Sequence, residues 1–269
     1  MKTVRFLSAA IFALALVCTF SCSSGGGGGD GSAELSSSSD SWRRKSSSSV
    51  VGSSSSVNGS SSSNGTMKTY GSVTYEGETY KTVVIGTQTW FQRNLNYAVS
   101  GSKCGNGSHG SSLSDENTTT CDTYGRLYNW ATAMALDASC NSSTCASQVG
   151  TKHRGICPSG WHIPSDAEWT ILTNYVGGAS TAGKYLKATS GWNSSGNGQD
   201  TYGFSALPGG DGYSNGGFYN VGLDGYWWSA TEYYAFNAYH RNMDNYYENV
   251  DRVNNDKYDN LYSVRCLQD

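Results

Sequence analysis

The sequence predicts an α+β domain with short antiparallel strands, two to three helices, long loops and disulfides over residues 68–269. Short apolar segments separated by glycine turns lie near both ends of this region, which is typical of antiparallel strands. Apolar residues recur at helical spacing in its first half. Its six cysteines, an even number, indicate disulfides in an exported chain. About two hundred residues can enclose one hydrophobic core, so we expect a single domain.

The predicted strands fall into two groups. The first lies in Tyr70–Asn94, where the turn Glu76-Gly77 divides short apolar segments. The second group is predicted at Tyr202–Leu207, Tyr226–Thr231, Ala238–Met243, Glu248–Val253 and Leu261–Leu267. We expect the N- and C-terminal strands to pair, and the polar segment Tyr97–Thr123 to form a long loop.

Two helices are predicted between these groups, with a short third helix at Thr181–Ala188. The first covers Tyr124–Asp137, where the residues Leu127, Trp130, Ala131, Met134 and Ala135 stand at helical spacing. The second begins at a capping box formed by Ser165 and Glu168 and ends at Gly177. Its apolar stripe consists of Trp169, Leu172, Tyr175 and Val176.

The first residues predict a bacterial lipoprotein signal. Lys2 and Arg5 precede the apolar run Phe6–Phe20, and the small residue Ser21 precedes Cys22. The run of about fifteen residues is shorter than the roughly twenty that span a bilayer. Because the positions just before the cysteine depart from the usual lipobox, ordinary secretion with Cys22 in a disulfide is the alternative.

Residues 1–21 are therefore the predicted signal peptide and residues 22–67 a lipid-anchored tether. The tether is mostly Ser and Gly and cannot bury enough apolar surface to offset the entropy of ordering. A coil of this length has an end-to-end distance of about 35–40 Å. We expect an outer-membrane lipoprotein that carries palmitate or similar acyl chains on Cys22, with its domain facing the cell surface or the periplasm.

The net charge disfavours nucleic acid as a partner, and the pattern of cysteines and histidines disfavours a metal site. A formal net charge of −3 gives no basic footprint for nucleic acid. No Cys-x-x-Cys pair occurs, and the histidines His109, His153, His162 and His240 are dispersed. Asp244, Asp251, Asp256 and Asp259 could gather around calcium, but no EF-hand loop is present and polar turns look the same. We expect no cofactor and no bound metal.

The cysteines of the domain allow fifteen disulfide connectivities. Proximity in sequence suggests Cys104–Cys121 and Cys140–Cys145, which leaves Cys157 to pair with Cys266.

Six ordered sequence blocks carry a resemblance to a known family. They are Ile85–Trp90 with Asn94-Leu95, Tyr124–Trp130, Cys157–Trp169, Asp200–Gly210, Gly225–Thr231 and Ser263–Cys266. Together they resemble the Fibrobacter succinogenes major paralogous domain across nearly all of Tyr70–Asp269. That resemblance implies an exported, often lipid-anchored envelope protein and carries no activity.

Two of these blocks are also similar to C-type-lectin-like folds, including the formylglycine-generating branch, which implies a C-type-lectin-like domain. The calcium-dependent sugar motifs of lectins, Glu-Pro-Asn or Gln-Pro-Asp with Trp-Asn-Asp, do not occur here. The catalytic cysteines of the formylglycine branch have no matching pair. The resemblance therefore bears on the fold and not on either chemistry.

Aromatic residues are expected in two roles. The tryptophans Trp161, Trp169, Trp227 and Trp228 are predicted to lie in the core, with His162 a hydrogen-bonded structural residue and Glu168 in the capping box. The segment Glu232–Tyr262 has the Tyr, Asn and Asp composition of recognition surfaces. The predicted ligand-binding residues are Tyr233, Tyr234, Tyr239, Asn242, Asp244, Tyr246, Tyr247 and Tyr258. We expect Tyr239, Tyr246 and Tyr247 to be exposed and clustered; an ordinary water-facing β-region is the alternative.

These features predict an envelope lipoprotein with a non-catalytic recognition domain that binds carbohydrate or a surface protein. The alternatives are a structural or scaffold protein of the envelope and an enzyme of unknown type. The enzyme is the less favoured alternative, because the sequence shows neither a nucleophile–base pair nor a metal cluster.

Overall fold

The computed structural model describes residues 68–105, 111–112, 117–214 and 217–269, and it has the predicted α+β fold. The predicted signal peptide, the anchor Cys22 and the tether lie outside the described residues. No helix among the described residues is both long and apolar enough to cross a membrane.

The described strands form three antiparallel sheets. The first contains, in spatial order, β1 (Tyr70–Tyr75), β2 (Glu78–Ile85), β3 (Gln88–Phe91), β12 (Leu267–Gln268) and β5 (Trp161–His162). The second contains β10 (Asp251–Asp256), β9 (Asn237–Asp244) and β8 (Asp224–Tyr234). The third contains β11 (Asn260–Leu261), β6 (Asp211–Tyr213), β7 (Gly217–Tyr219) and β4 (Ser111–Ser112). Leu267 pairs with Trp90 of β3 and with His162 of β5, so the predicted pairing of the N- and C-terminal strands is confirmed.

The four described α-helices are α1 (Thr118–Tyr124), α2 (Trp130–Met134), α3 (Asp166–Tyr175) and α4 (Ala179–Leu186). Short 3₁₀ turns occur at Ala138–Asn141 and Ala146–Gln148. The capping box of α3 is present: the Ser165 side chain accepts from the Glu168 amide, and the Glu168 side chain accepts from the Ser165 amide. Helix α4 begins two residues before the predicted third helix.

The predicted helix Tyr124–Asp137 is wrong in its extent. Leu127 and Tyr128 make single β-bridges to neighbouring chain segments instead of a first helical turn. Helix α2 then begins after Asn129, whose side chain accepts from the amide of Thr132 at 2.9 Å. The predicted long loop was also wrong in part, because its last residues form α1, which Cys121 ties to Cys104.

Two predicted strands are corrected by the backbone. Tyr202–Leu207 is not a strand, because Gly203 and Ser205 have φ values of 77° and 52°, which interrupt an extended chain. Leu261–Leu267 is not continuous: its ends belong to β11 and β12, while Tyr262 and Ser263 make single bridges. The predicted strand Glu248–Val253 occurs later in the chain, as β10.

The core consists of two large clusters of buried side chains. One surrounds Trp130, Trp161 and Trp228, and the other surrounds Trp90, Trp169 and Trp227. The four tryptophans predicted to be core are therefore buried. The disulfides among the described residues are Cys104–Cys121, Cys140–Cys145 and Cys157–Cys266, with Cα–Cα distances of 5.3, 5.5 and 5.9 Å. The first two are the pairs that proximity suggests, and the third is the pair that those two leave.

Candidate recognition surface

Four aromatic side chains form a continuous exposed patch at the tip of the β8–β9 hairpin. We call it the tip patch, and it consists of Tyr233, Tyr234, Phe236 and Tyr239. Tyr233, Tyr234 and Phe236 are each at least half exposed, and Tyr239 is half-buried. The ring centroid of Tyr233 lies 5.2 Å from that of Tyr234 and 5.3 Å from that of Tyr239. Neighbouring rings meet edge to face, at interplanar angles of 64° to 78°.

An arginine held by a carboxylate fixes one side of this patch. The guanidinium carbon of Arg252 lies 3.9 Å from the centroid of the Tyr239 ring, within cation–π distance. Its Nε donates to both carboxylate oxygens of Asp166 at 2.9 Å. Arg241 donates from the other side at 2.7 Å. Burial opposes the charge of Asp166, but the bonds from Arg252 and Arg241 outweigh it and lower the pKa of Asp166. The carboxylate stays ionised, and Arg252 stays stacked on the ring.

A buried ion pair holds the hairpin from the opposite face. Lys257 is fully buried and donates to Glu232 at 2.7 Å. Glu232 also accepts from the backbone amide of Cys145, next to the Cys140–Cys145 disulfide. The Lys257 amide donates to the carbonyl of Phe236 at 2.8 Å. The backbone at the hairpin tip is therefore fixed while its aromatic side chains face solvent.

The structure divides the predicted ligand-binding residues into two sets. Tyr233, Tyr234 and Tyr239 belong to the tip patch, and Tyr258 follows β10 at the same end, where Asp256 pairs with Asn237. The other set is Asn242, Asp244, Tyr246 and Tyr247, at the far end of β9 and in the loop that follows. An eight-residue strand is about 23 Å long at roughly 3.3 Å per residue. The expected cluster of Tyr239, Tyr246 and Tyr247 was therefore wrong.

Phe236 belongs to the tip patch and was missed by sequence reasoning. The Tyr, Asn and Asp composition that indicates a recognition surface does not include phenylalanine, which by itself suggests a core position. Its position in the sequence could have indicated exposure. Ala235 and Phe236 are the two residues that connect β8 to β9, and side chains in such a turn face solvent.

The carboxylates near these surfaces have structural partners. The carboxylate of Asp244 accepts from the amides of Tyr246 and Tyr247, and that of Asp256 accepts from the amide of Tyr258, so both brace turns. His240 is buried; burial, and then the charge of Arg241, lowers its pKa to about 3, which keeps it neutral. Among the described residues, no group of three or more His, Cys, Asp or Glu side chains is placed to hold a metal ion.

Four of the six sequence blocks meet at one buried arginine, Arg265. Its Nη2 and Nε donate to the side-chain oxygen of Asn94 at 2.7 and 3.0 Å. That oxygen also accepts from the indole of Trp227 at 2.7 Å, and the carbonyl of Phe204 accepts from Nη1 at 2.6 Å. Full burial lowers the pKa of Arg265 to about 9. These blocks therefore specify packing inside the fold, and the tip patch lies outside them.

The described residues thus define a disulfide-stapled α+β domain with an exposed aromatic hairpin. The family model of the Fibrobacter succinogenes major domain matches residues 83–268, and the chain belongs to this family. No curated protein and no solved structure matches the chain. The matched range contains all six sequence blocks, and membership assigns no ligand.

Proposed function

We propose that the protein is an envelope lipoprotein whose C-terminal domain, of C-type-lectin-like type, is a non-catalytic recognition module that docks on a surface protein through the tip patch. The observation that carries the proposal is the patch itself: four contiguous aromatic rings, three of them at least half exposed, on a braced backbone. Large exposed aromatic groups on a rigid support are typical of interaction sites.

The composition and shape of the patch favour a protein over an extended polysaccharide surface. Aromatic residues and arginine are enriched in the centres of protein interfaces, where Lys and Glu are depleted. Beside the tip patch, Arg252 stacks on Tyr239 and is neutralised by Asp166, while Lys257 and Glu232 are withdrawn into the interior. The edge-to-face rings make a faceted surface at a convex tip, whereas a flat polysaccharide sheet would require coplanar rings.

The membrane part of the proposal rests on Cys22 and the Ser/Gly stretch after it. A diacylated cysteine with a further N-linked chain anchors stably, because more than one acyl chain is buried. Cys22→Ala should therefore abolish incorporation of labelled palmitate and release the chain from membranes. Continued labelling and membrane fractionation of the variant would refute the anchor.

The docking surface is tested by Tyr233→Ala/Tyr234→Ala, with Tyr246→Ala/Tyr247→Ala as the matched control. All four tyrosines are at least half exposed, so each variant should keep the thermal midpoint of the wild type. Photo-crosslinking on cell envelopes should identify a partner whose affinity for the tip variant falls about tenfold or more and is unchanged for the control.

Two outcomes would contradict this docking site. One is a tip variant that unfolds, which would place these tyrosines in the core. The other is a partner that binds the wild type and the tip variant equally, as the scaffold alternative with a different contact surface predicts.

A further inference from the structure

A second candidate site lies at the opposite end of the β8–β9 hairpin from the tip patch. The loop after β9 packs on the loop after α4, and together they line an open pocket of about 170 Å³. The residues that line it and carry the argument are Lys184, Ser195, Asn197, Tyr246, Tyr247 and Glu248. At roughly 30 Å³ per water the pocket holds about six waters, which is the scale of one sugar ring.

The backbone around this pocket is fixed by a buried lysine. The ammonium of Lys187, which is only 3% exposed, donates to the carbonyls of Asp244 and Tyr247 at 2.8 and 2.9 Å. It also lies 5.1 Å from the ring centroid of Trp192, so the loop is held against the body of the domain. The pocket is therefore formed before any ligand arrives, which lowers the entropic cost of binding.

The facing loop is equally well defined. Asn245 is buried and donates to the carbonyl of Asn193. Ser194 and Ser195 have φ values of 53° and 63°, a left-handed conformation that non-glycine residues adopt rarely and that is concentrated at functional sites.

The side chains at the rim combine aromatic faces with a balanced set of polar groups. Tyr246 and Tyr247 are the most exposed aromatic residues described, at 74% and 67%. Lys184 and Glu248 form an ion pair at 3.0 Å whose members stay partly exposed and can donate to and accept from hydroxyl groups. Two cations, Lys184 and Lys187, and two carboxylates, Asp244 and Glu248, lie at or beside the pocket, so its charges balance.

From this arrangement we infer that the pocket is a binding site for a neutral saccharide. A tyrosine face stacks on the apolar C–H face of a sugar ring, and the amide, hydroxyl and ion-paired side chains bond its hydroxyl rim. The balanced charge disfavours an acidic sugar or a free anion. The inference is independent of the docking function proposed for the tip patch, because the two surfaces lie at opposite ends of β9.

The test uses the full chain on an array of short neutral cello-, xylo-, manno- and galacto-oligosaccharides, with oligogalacturonates as the acidic comparison. The wild type and Tyr233→Ala/Tyr234→Ala should bind the same neutral oligosaccharide with the same affinity by titration calorimetry. Tyr246→Ala/Tyr247→Ala should bind it about tenfold or more weakly, as truncation of stacked aromatic anchors does.

Glu248→Gln provides a second variant that keeps the size of the side chain and removes its charge. It should weaken binding of the neutral oligosaccharide on its own. If the double alanine variant loses stability, Glu248→Gln still tests whether the pocket binds the saccharide. The inference is overturned if the wild type binds no neutral oligosaccharide, binds only the oligogalacturonates, or binds equally after the changes at the pocket.

Discussion

A single buried charged residue, Lys257, holds the β8–β9 hairpin in place. Lys257 has no exposed surface, its ammonium bonds to Glu232 and to the carbonyl of Ser143, and it lies 4.8 Å from the ring centroid of Trp130. A buried charge is costly unless it is paired and hydrogen-bonded, as Lys257 is. Lys257 thereby connects β10, β8 and the Cys140–Cys145 loop beneath the tip patch.

Removal of this lysine should destabilise the domain strongly. Lys257→Met leaves the Glu232 carboxylate buried without its cation and should lower the free energy of unfolding by about 3–5 kcal/mol. The measurement is chemical denaturation followed by tryptophan fluorescence. The double variant Lys257→Met/Glu232→Gln, which removes both charges, should recover part of the loss, and a loss no smaller than that of the single variant would contradict the paired-charge explanation.

At the scale of elements, short sequence motifs correctly predicted the helix start and the strand turns, because these depend on contacts between residues close in the chain. The capping box at Ser165 and Glu168 and the turns between β1, β2 and β3 are short-range, and they occur where expected. Some residues whose conformation is set by distant partners were assigned wrongly. Tyr128 has a helical pattern, yet its backbone pairs with Tyr262, more than a hundred residues away.

The candidate site shows the same division. Composition identified Glu232–Tyr262 as surface rich in tyrosine, which the exposure of its side chains confirms at several positions. Composition does not indicate which of these residues lie close together. In the hairpin, Tyr233 and Tyr246 lie at opposite ends of the same pair of strands. The pocket beside Tyr246 also needs Ser195 and Asn197, which no pattern in that segment could indicate.

A buried histidine joins three elements and should make stability depend on pH. His162 of β5 bonds to Glu168 of α3 at 3.0 Å and to Asp269 after β12 at 2.8 Å. Burial opposes its charge, but the two carboxylates outweigh burial and raise its pKa above 6.5. The stabilisation is therefore complete below that value and is lost as the pH rises through the raised pKa.

Thermal midpoints of the wild type should accordingly fall between about pH 6 and pH 8. His162→Gln should be less stable than the wild type at the acid end of this range and should show a smaller fall across it. The same slope in both proteins would mean that another group produces the pH dependence.

At the scale of the whole domain, one bridge has the largest sequence separation of the described disulfides. Cys157 stands shortly before α3 and Cys266 directly before β12, at a sequence separation of 109. Both cysteines are fully buried in the cluster that contains Trp161 and Trp228. The bridge therefore fixes the closing strand of the first sheet to the segment that leads into the capped helix.

Removal of this bridge should cost more than removal of the short one. In the chain-entropy model a loop of 109 residues contributes about 5 kcal/mol, and the five-residue separation of Cys140 and Cys145 contributes about 2 kcal/mol. Cys157→Ala/Cys266→Ala should therefore lower the free energy of unfolding clearly more than the matched Cys140→Ala/Cys145→Ala variant, in denaturant titrations of both proteins. Alanine is used because a serine hydroxyl in this dry position would add a polar burial cost of its own. Equal losses in the two variants, or a non-reducing peptide map that links Cys157 to a cysteine other than Cys266, would contradict this account of the domain.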